Sequence, residues 1–202
     1  MRKTNHRDRR VRRTQKQIRE AFLLLIEEKE YDQITVTDII NKADYNRTTF
    51  YRHYYDKDDL VNKIIDQQIE QFVEALLHPY RQAKHMNLEG ISSEEIIIFD
   101  HIIEHKDFYR LWDRLSSIPS FSQKFTNAVK DLLNNEIETI TSIDGEDINR
   151  ELYVEFYGYG LSGLIFNWIR NGFQESPQYM AKQLTRIMKT KPIKVKPLDE
   201  EA

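Results

Sequence analysis

The first 78 residues contain neither glycine nor proline, so nothing in that stretch breaks a helix from within. Side chains that start helices subdivide it instead. Thr14 opens a Thr-Gln-Lys-Gln run of the capping-box type, and Ile18, Phe22, Leu25 and Ile26 follow at helical spacing. Thr35 precedes a short apolar face of Val36, Ile39, Ile40 and Ala43, with Asp38 three residues on, where a carboxylate suits the positive helix end. After a turn at Asp44-Tyr45, Asn46 can cap a second short helix carrying Arg47, Thr48, Thr49, Phe50, Tyr51, Arg52 and His53. Asp56 can cap a third, whose Leu60, Ile64, Ile65, Ile69, Phe72, Val73 and Leu76 run towards Pro79. The short pair reads as a helix-turn-helix. Phe50 is expected in its core, because a helix of about two turns must bury one face to stay attached.

Charge is distributed unevenly. Residues 1 to 19 hold nine Lys or Arg against one Asp, which leaves 21 basic and 32 acidic residues for the rest of a chain whose net charge is −3. A basic arm beside a helix-turn-helix is expected to attract phosphates, with Arg12 and Arg13 the nearest to the motif; a solvated tail that adds only nonspecific affinity is the plainer alternative. No apolar run approaches the ~20 residues that span a bilayer, and a soluble cytoplasmic protein with no membrane partner is expected. Without cysteine there are no disulfides or thiolate zinc sites.

The second half is expected to be a helical bundle with its own core, which makes the whole chain all-α. Ser92-Ser93-Glu94-Glu95 introduces an apolar helix at Ile96, Asp107 to Leu115 forms a short aromatic one, and a longer helix follows Pro119 as far as the Asp144-Gly145 turn. Residues 147 to 171 are apolar over more than one face and contain Gly158, Gly160 and Gly163, so this helix needs partners on two sides. Ser176 and Pro177 open a last helix with Met180, Leu184, Ile187 and Met188 on one stripe. The organisation is a basic arm (1–13), a helix-turn-helix domain (14–60), a connector helix (about 56–78), a C-terminal domain (79–188) and a disordered tail (189–202).

The run Thr35-Val36, Asp38-Ile39, Ala43, Asn46, Thr49-Phe50-Tyr51-Arg52-His53, Lys57 and Leu60 resembles the DNA-binding domain of TetR-type transcriptional regulators. The stretch from Glu155 to Met180 and His105-Lys106-Asp107-Phe108-Tyr109 resemble a C-terminal domain common in such regulators from Firmicutes. Two departures stand out: Asp44 where the family usually has Gly, and Tyr45 where it usually has Val. Asp tolerates left-handed backbone angles, so the turn is expected to survive, while the bulk of Tyr45 bears on the tilt of the second helix. The resemblance implies base contacts from Arg47, Thr48 and Thr49 and phosphate contacts from Thr35, Tyr51, His53 and Lys57. Side-chain chemistry agrees, since Arg can bind guanine through two hydrogen bonds and Thr methyls can meet thymine. Arg52 is either a phosphate contact or a solvated charge.

The resemblance also implies double-stranded DNA as partner, a homodimer formed by the last two long helices, and a small-molecule effector of unknown identity. Tyr157, Gly160, Leu161, Leu164, Ile165, Trp168, Met180, Leu184 and Ile187 are the interface candidates, an intrachain core being the other explanation of their apolar character. Phe99, Phe108, Tyr109, Trp112, Phe125, Phe156 and Tyr159 are candidates for an effector pocket, although aromatics at helical spacing more often form plain core. A ligand-responsive repressor on a palindromic operator is the expected function; a DNA-binding adaptor that recruits a protein partner is the alternative. His101-Ile102-Ile103-Glu104-His105 also matches the H-x-x-E-H zinc-peptidase pattern, with both histidines on one helix face and no third ligand identifiable, so a zinc-responsive regulator stays open. No nucleophile elbow, Walker loop or dinucleotide fingerprint occurs, and neither catalysis nor a cofactor is expected.

Overall fold

The computed structural model describes residues 2–82, 92–118, 121–135, 142–143 and 146–190, with the side chains of 2–8, 79–82 and 142–147 left aside. The expected tail beyond residue 190, the Asp144-Gly145 turn and the segment at Pro119 lie outside the described residues. The helices are α1 (Arg2–Glu28), α2 (Val36–Ala43), α3 (Arg47–Tyr51), α4 (Lys57–Gln82), α5 (Ile98–Glu104), α6 (Lys106–Tyr109), α7 (Trp112–Leu115), α8 (Phe121–Asn135), α9 (Arg150–Arg170) and α10 (Pro177–Lys189). Apart from a two-residue antiparallel ladder, Ser142–Ile143 against Glu146–Asp147, every described regular element is helical. No helix among the described residues is long and apolar enough to cross a membrane.

Helix α1 starts well before Thr14. The Thr14 hydroxyl donates back to the Arg10 carbonyl (3.0 Å) instead of capping, so the basic arm is the helix's first half. Arg, Lys and Gln are good helix formers, and no glycine or proline interrupts them. Similarly, α4 continues past Pro79 to Gln82, because a proline removes one rung of hydrogen bonding while the residues after it keep theirs. The expected aromatic helix from 107 to 115 is two single-turn helices, broken at Arg110-Leu111.

Helices α1 to α3 and the start of α4 enclose Ile18, Phe22, Ile26, Ile39, Phe50 and Leu60, all fully buried. Two contacts of Tyr31 tie the start of α4 to this unit, as its hydroxyl donates to the Asp58 carboxylate and its carbonyl accepts from Lys57 Nζ (2.8 Å). Further along α4, Phe72 meets Phe125 of α8 edge-on with ring centroids 5.4 Å apart. Lys124 of α8 reaches back to Asn62 (3.0 Å) and Asp66 (2.9 Å) of α4. The connector is thus seated on the bundle along most of its length.

Helix α9 packs on α8 through a glycine. A Cβ placed on the buried Gly158 would lie 2.7 Å from Cγ of Lys130. That lysine cannot easily withdraw, because its Nζ meets the Glu155 carboxylate at 2.8 Å and sits 4.1 Å above the centre of the Tyr159 ring. Gly158→Ala should therefore destabilise the fold by about 1–3 kcal/mol, the usual cost of overpacking. In a Lys130→Ala background the same change should become stabilising by about 0.5–1 kcal/mol, the ordinary preference of a helix for alanine over glycine. Denaturant midpoints for the four variants of this cycle check it, and additive effects would refute the steric explanation.

Candidate nucleic-acid interface

The helix-turn-helix is built from caps and one anchor. At the start of α2 the Thr35 hydroxyl accepts from the Asp38 N–H (3.1 Å) and the Thr35 N–H donates to the Asp38 carboxylate (2.9 Å), a complete capping box. At its end Asp44 has φ 55 and ψ 48, the left-handed conformation that the turn requires, and the Tyr45 N–H bonds to the Ile40 carbonyl at 2.9 Å. Asn46 then accepts from the Thr49 N–H (2.8 Å) and starts α3. Phe50 is completely buried, and the rings of Tyr51 and Tyr54 lie 5.5 Å from its own. With that side chain fixed inward, helical geometry turns Arg47, Thr48 and Tyr51 outward; Arg52, at the end of the helix, is exposed as well, and Thr49 and His53 are half-buried.

Tyr45 fixes this assembly to α1: its hydroxyl donates to Gln17 Oε1 at 2.6 Å. Beside it lies a groove of about 560 Å³ between the two helices. Arg10 and Arg13 form one wall, Thr49, Arg52 and His53 the other, with Asp44 the single carboxylate among the described lining residues. Desolvation, then Arg52 and Lys63, lower the His53 pKa, so that imidazole is neutral and offers hydrogen bonds without adding charge. The remaining guanidinium groups suit an anion such as a phosphate.

The residues expected at the interface fall into groups. Arg47, Thr48, Thr49, Tyr51, Arg52 and His53 lie together on or just after α3, and Arg13 faces them from α1, while Arg12 is exposed outside the groove. Arg47 Nη2 rests on the Thr37 hydroxyl (3.2 Å), which holds it over α2. Thr35 and Asn46 are exposed at their caps. Lys57 turns inward, its Nζ 4.0 Å from the centre of the Tyr31 ring. Tyr55 was not anticipated: it is 85% exposed beside α3, and its N–H donates to Asp59 (2.8 Å). The adjacent pair Tyr54-Tyr55 carried the signal, since burial of Tyr54 sends its neighbour outward.

The aromatic set expected to line a pocket is divided. Phe99, Phe108, Tyr109, Trp112 and Phe125 are buried. Trp112 packs on Phe125 at 5.2 Å, Phe108 on Tyr109 at 5.3 Å, and Phe99 on Trp168 at 5.3 Å. Phe156 and Tyr159 lie on the outside of α9. The interface set is divided as well: Ile165, Trp168, Met180 and Leu184 are buried within the chain, Leu161 and Leu164 are half-buried, and Tyr157, Gly160 and Ile187 are exposed. Trp168 also donates its indole N–H to the Glu175 carbonyl (3.1 Å) and so closes the loop between α9 and α10. His101 and His105 are half-buried neighbours on α5 and its C-terminal end, with ring centroids 4.6 Å apart.

Two family descriptions match this chain: "Bacterial regulatory proteins, tetR family" over residues 18–64 and "Transcriptional regulator C-terminal region" of the same family over residues 94–190. An uncharacterized HTH-type transcriptional regulator of Bacillus subtilis, YxbF, is 26% identical over 199 residues, 93% of this chain and 48% of that protein. DhaS of Lactococcus lactis, named as the activator of the dhaKLM operon, is 27% identical over 97 residues, 48% of this chain and 47% of the relative. The chain spans about half the length of the curated relatives it matches. Among solved structures, a TetR regulator of Streptococcus agalactiae has a TM-score of 0.57 at 21% identity, covering 91% of this chain and 98% of that one. A DhaS structure scores 0.57 at 20% identity, covering 87% and 93%. These structural likenesses show the same fold.

The capping box has a measurable pH signature. The Thr35 N–H, then the Thr35 hydroxyl and Lys29, lower the half-buried Asp38 carboxyl from 3.8 to about 2. A carboxyl depressed in the folded state adds stability above its unfolded pKa, and that stability is lost as pH falls through the folded one. The melting-temperature gap between wild type and Asp38→Asn should therefore shrink between about pH 4 and about pH 2. A gap of equal size at pH 2 and pH 6 would show that the carboxylate charge plays no part in the cap.

Proposed function

Since the chain belongs to the TetR family of bacterial transcriptional regulators, we propose that it acts as a homodimer that binds a palindromic operator through α3 of each protomer, repressing transcription until a small ligand releases it. The family is one of regulators, not of enzymes. The observation that carries the reading is the surface of α3: Asn46 caps it, buried Phe50 orients it, and Arg47, Thr48 and Tyr51 face outward beside the guanidinium-lined groove. Arg47 and Thr48 supply base readout; Tyr51, His53, Arg10, Arg13 and Arg52 supply phosphate contacts.

Dimerisation is supported by what α9 and α10 leave uncovered. Leu152, Phe156, Tyr159 and the open positions Gly160 and Gly163 recur at helical spacing on α9, with Tyr179, Ile187 and Met188 exposed on α10. Apolar side chains concentrated on one pair of helices are what a four-helix interface between protomers buries. Two recognition helices in such a dimer must stand about 34 Å apart, one duplex turn. Movement of α4, which carries α1 to α3, changes that spacing.

An activator that recruits a protein partner is the second reading. It is favoured by the activator role of the Lactococcus lactis relative and by the mutual packing of Phe108, Tyr109, Trp112 and Phe125, which fills the volume that an aromatic pocket would need.

Selection of random duplexes on the purified protein should enrich a palindrome. Arg47→Ala should relax specificity at one position of each half-site by about 1–3 kcal/mol. Arg10→Ala with Arg13→Ala should weaken binding to all sequences and flatten the salt dependence by about one unit for each phosphate no longer neutralised. Binding that only fades with salt, without an enriched sequence, would sink the regulator reading of the interface. For the dimer, sedimentation should find two chains at micromolar concentration, and Gly160→Arg should give monomers with an unchanged circular dichroism spectrum; a monomeric wild type would refute the interface.

A further inference from the structure

Between the connector and the bundle, α4 and α5 leave an open groove of about 550 Å³. Its α5 wall carries Asp100, His101, Glu104 and His105, and its α4 wall carries Gln71 and Glu74, with no Lys or Arg among the described lining residues. Two imidazoles and three carboxylates in one groove form an electron-rich surface whose complement is a cation. The imidazoles are already paired. His101 and His105 are four residues apart, and their ring centroids are 4.6 Å apart.

His101 is held from behind. Its Nε2 lies 3.3 Å from the hydroxyl of Tyr109, a residue completely buried in the bundle. One ring nitrogen is thereby engaged and the ring is fixed in orientation, which is what an outer partner does for a metal-binding histidine. A second, independent feature lies on the opposite wall: the amide oxygen of Gln71 is shielded from solvent and has no hydrogen-bond partner. That oxygen has no partner where it stands, and rotation of the amide towards the groove would bring it to a cation or to water bound to one.

We propose that this groove binds a divalent d-block cation of the zinc or nickel type through His101 and His105, with a groove carboxylate and water completing the coordination shell. Imidazole selects such ions over magnesium or calcium, which prefer all-oxygen sites. Among the described residues no three metal-ligating side chains already surround one point, so the histidine pair is the preformed half and the carboxylate is recruited by rotation. Glu104 and Glu74 are both solvent-exposed. With Glu104 the site is confined to α5; with Glu74 the ion bridges α5 to the connector helix. Binding of the ion needs no DNA, and it is tested without DNA.

Equilibrium dialysis of the full chain against zinc or nickel salts at neutral pH should give one ion per chain, retained in a large excess of magnesium. The His101→Ala/His105→Ala pair should weaken binding about 100-fold, and whichever of Glu74→Gln and Glu104→Gln removes a ligand about 10-fold, magnitudes typical of removing a group from a metal site. Because His101 supports Tyr109, His105→Ala alone is the second variant: it leaves that interaction in place and should still weaken binding at least about 10-fold. Circular dichroism confirms that each variant is folded. Absence of saturable binding by the wild type overturns the proposal, and so does equal affinity in the folded histidine variants, which would assign the ion to other histidines.

Discussion

Helix α4 runs through one continuous core from the N-terminal unit into the bundle. Leu60, Val61, Ile64 and Ile65 are buried at the end that Lys57, Asp58 and Tyr31 tie to the N-terminal unit, and Phe72, Ala75, Leu76 and Leu77 are buried where α5 and α8 pack. Burying a large apolar side chain contributes about 1.5–3 kcal/mol, so neither end can leave its core cheaply. A helix resists bending far more than a loop does, and displacement of the bundle end must therefore carry the helix-turn-helix with it. The exposed ion pair between Arg114 and Glu30 (3.4 Å) also crosses from the bundle to the N-terminal unit, but such pairs are weak and a shift of α4 can break it.

At the other end of that lever, α3 is only five residues long and has little intrinsic stability. It persists because Asn46 satisfies its first turn, Phe50 ties it to the core and Asp44 takes the left-handed turn. Tyr45 adds a bond to Gln17 across the groove. That bond holds the basic half of α1 against α3, so in the proposed complex phosphate contacts by Arg10 and Arg13 would set the register of α3 on the duplex.

The caps were legible in the sequence because they are local. Thr35, Asp38, Asn46, Asp56 and Ser176 act within three residues of themselves, and all five make the contacts that their spacing implied. Phe50 was legible for a similar reason: a very short helix has one side to bury. Thr14 was misleading, since a Thr-Gln-Lys-Gln run is compatible with helix interior as well as helix start, and only continuity with the preceding arm decides between them. The pairs to which the aromatics belong were not legible. Helical spacing says that Phe125, Phe156 and Trp168 each lie on an apolar face, but not which face meets its own chain.

The sequence alone determined the all-helical class, the starts of α2 and α3, the left-handed turn at Asp44 and the family resemblance, because each depends on residues within a few positions of one another. Tertiary structure decided the rest. It enclosed Phe108, Tyr109, Trp112 and Phe125 together, left Phe156 and Tyr159 outside, turned Lys57 onto Tyr31, and set His101 and His105 against the connector. Those outcomes depend on the relative placement of helices distant in the chain, and periodicity along one helix contains no information about the rotation of its neighbour.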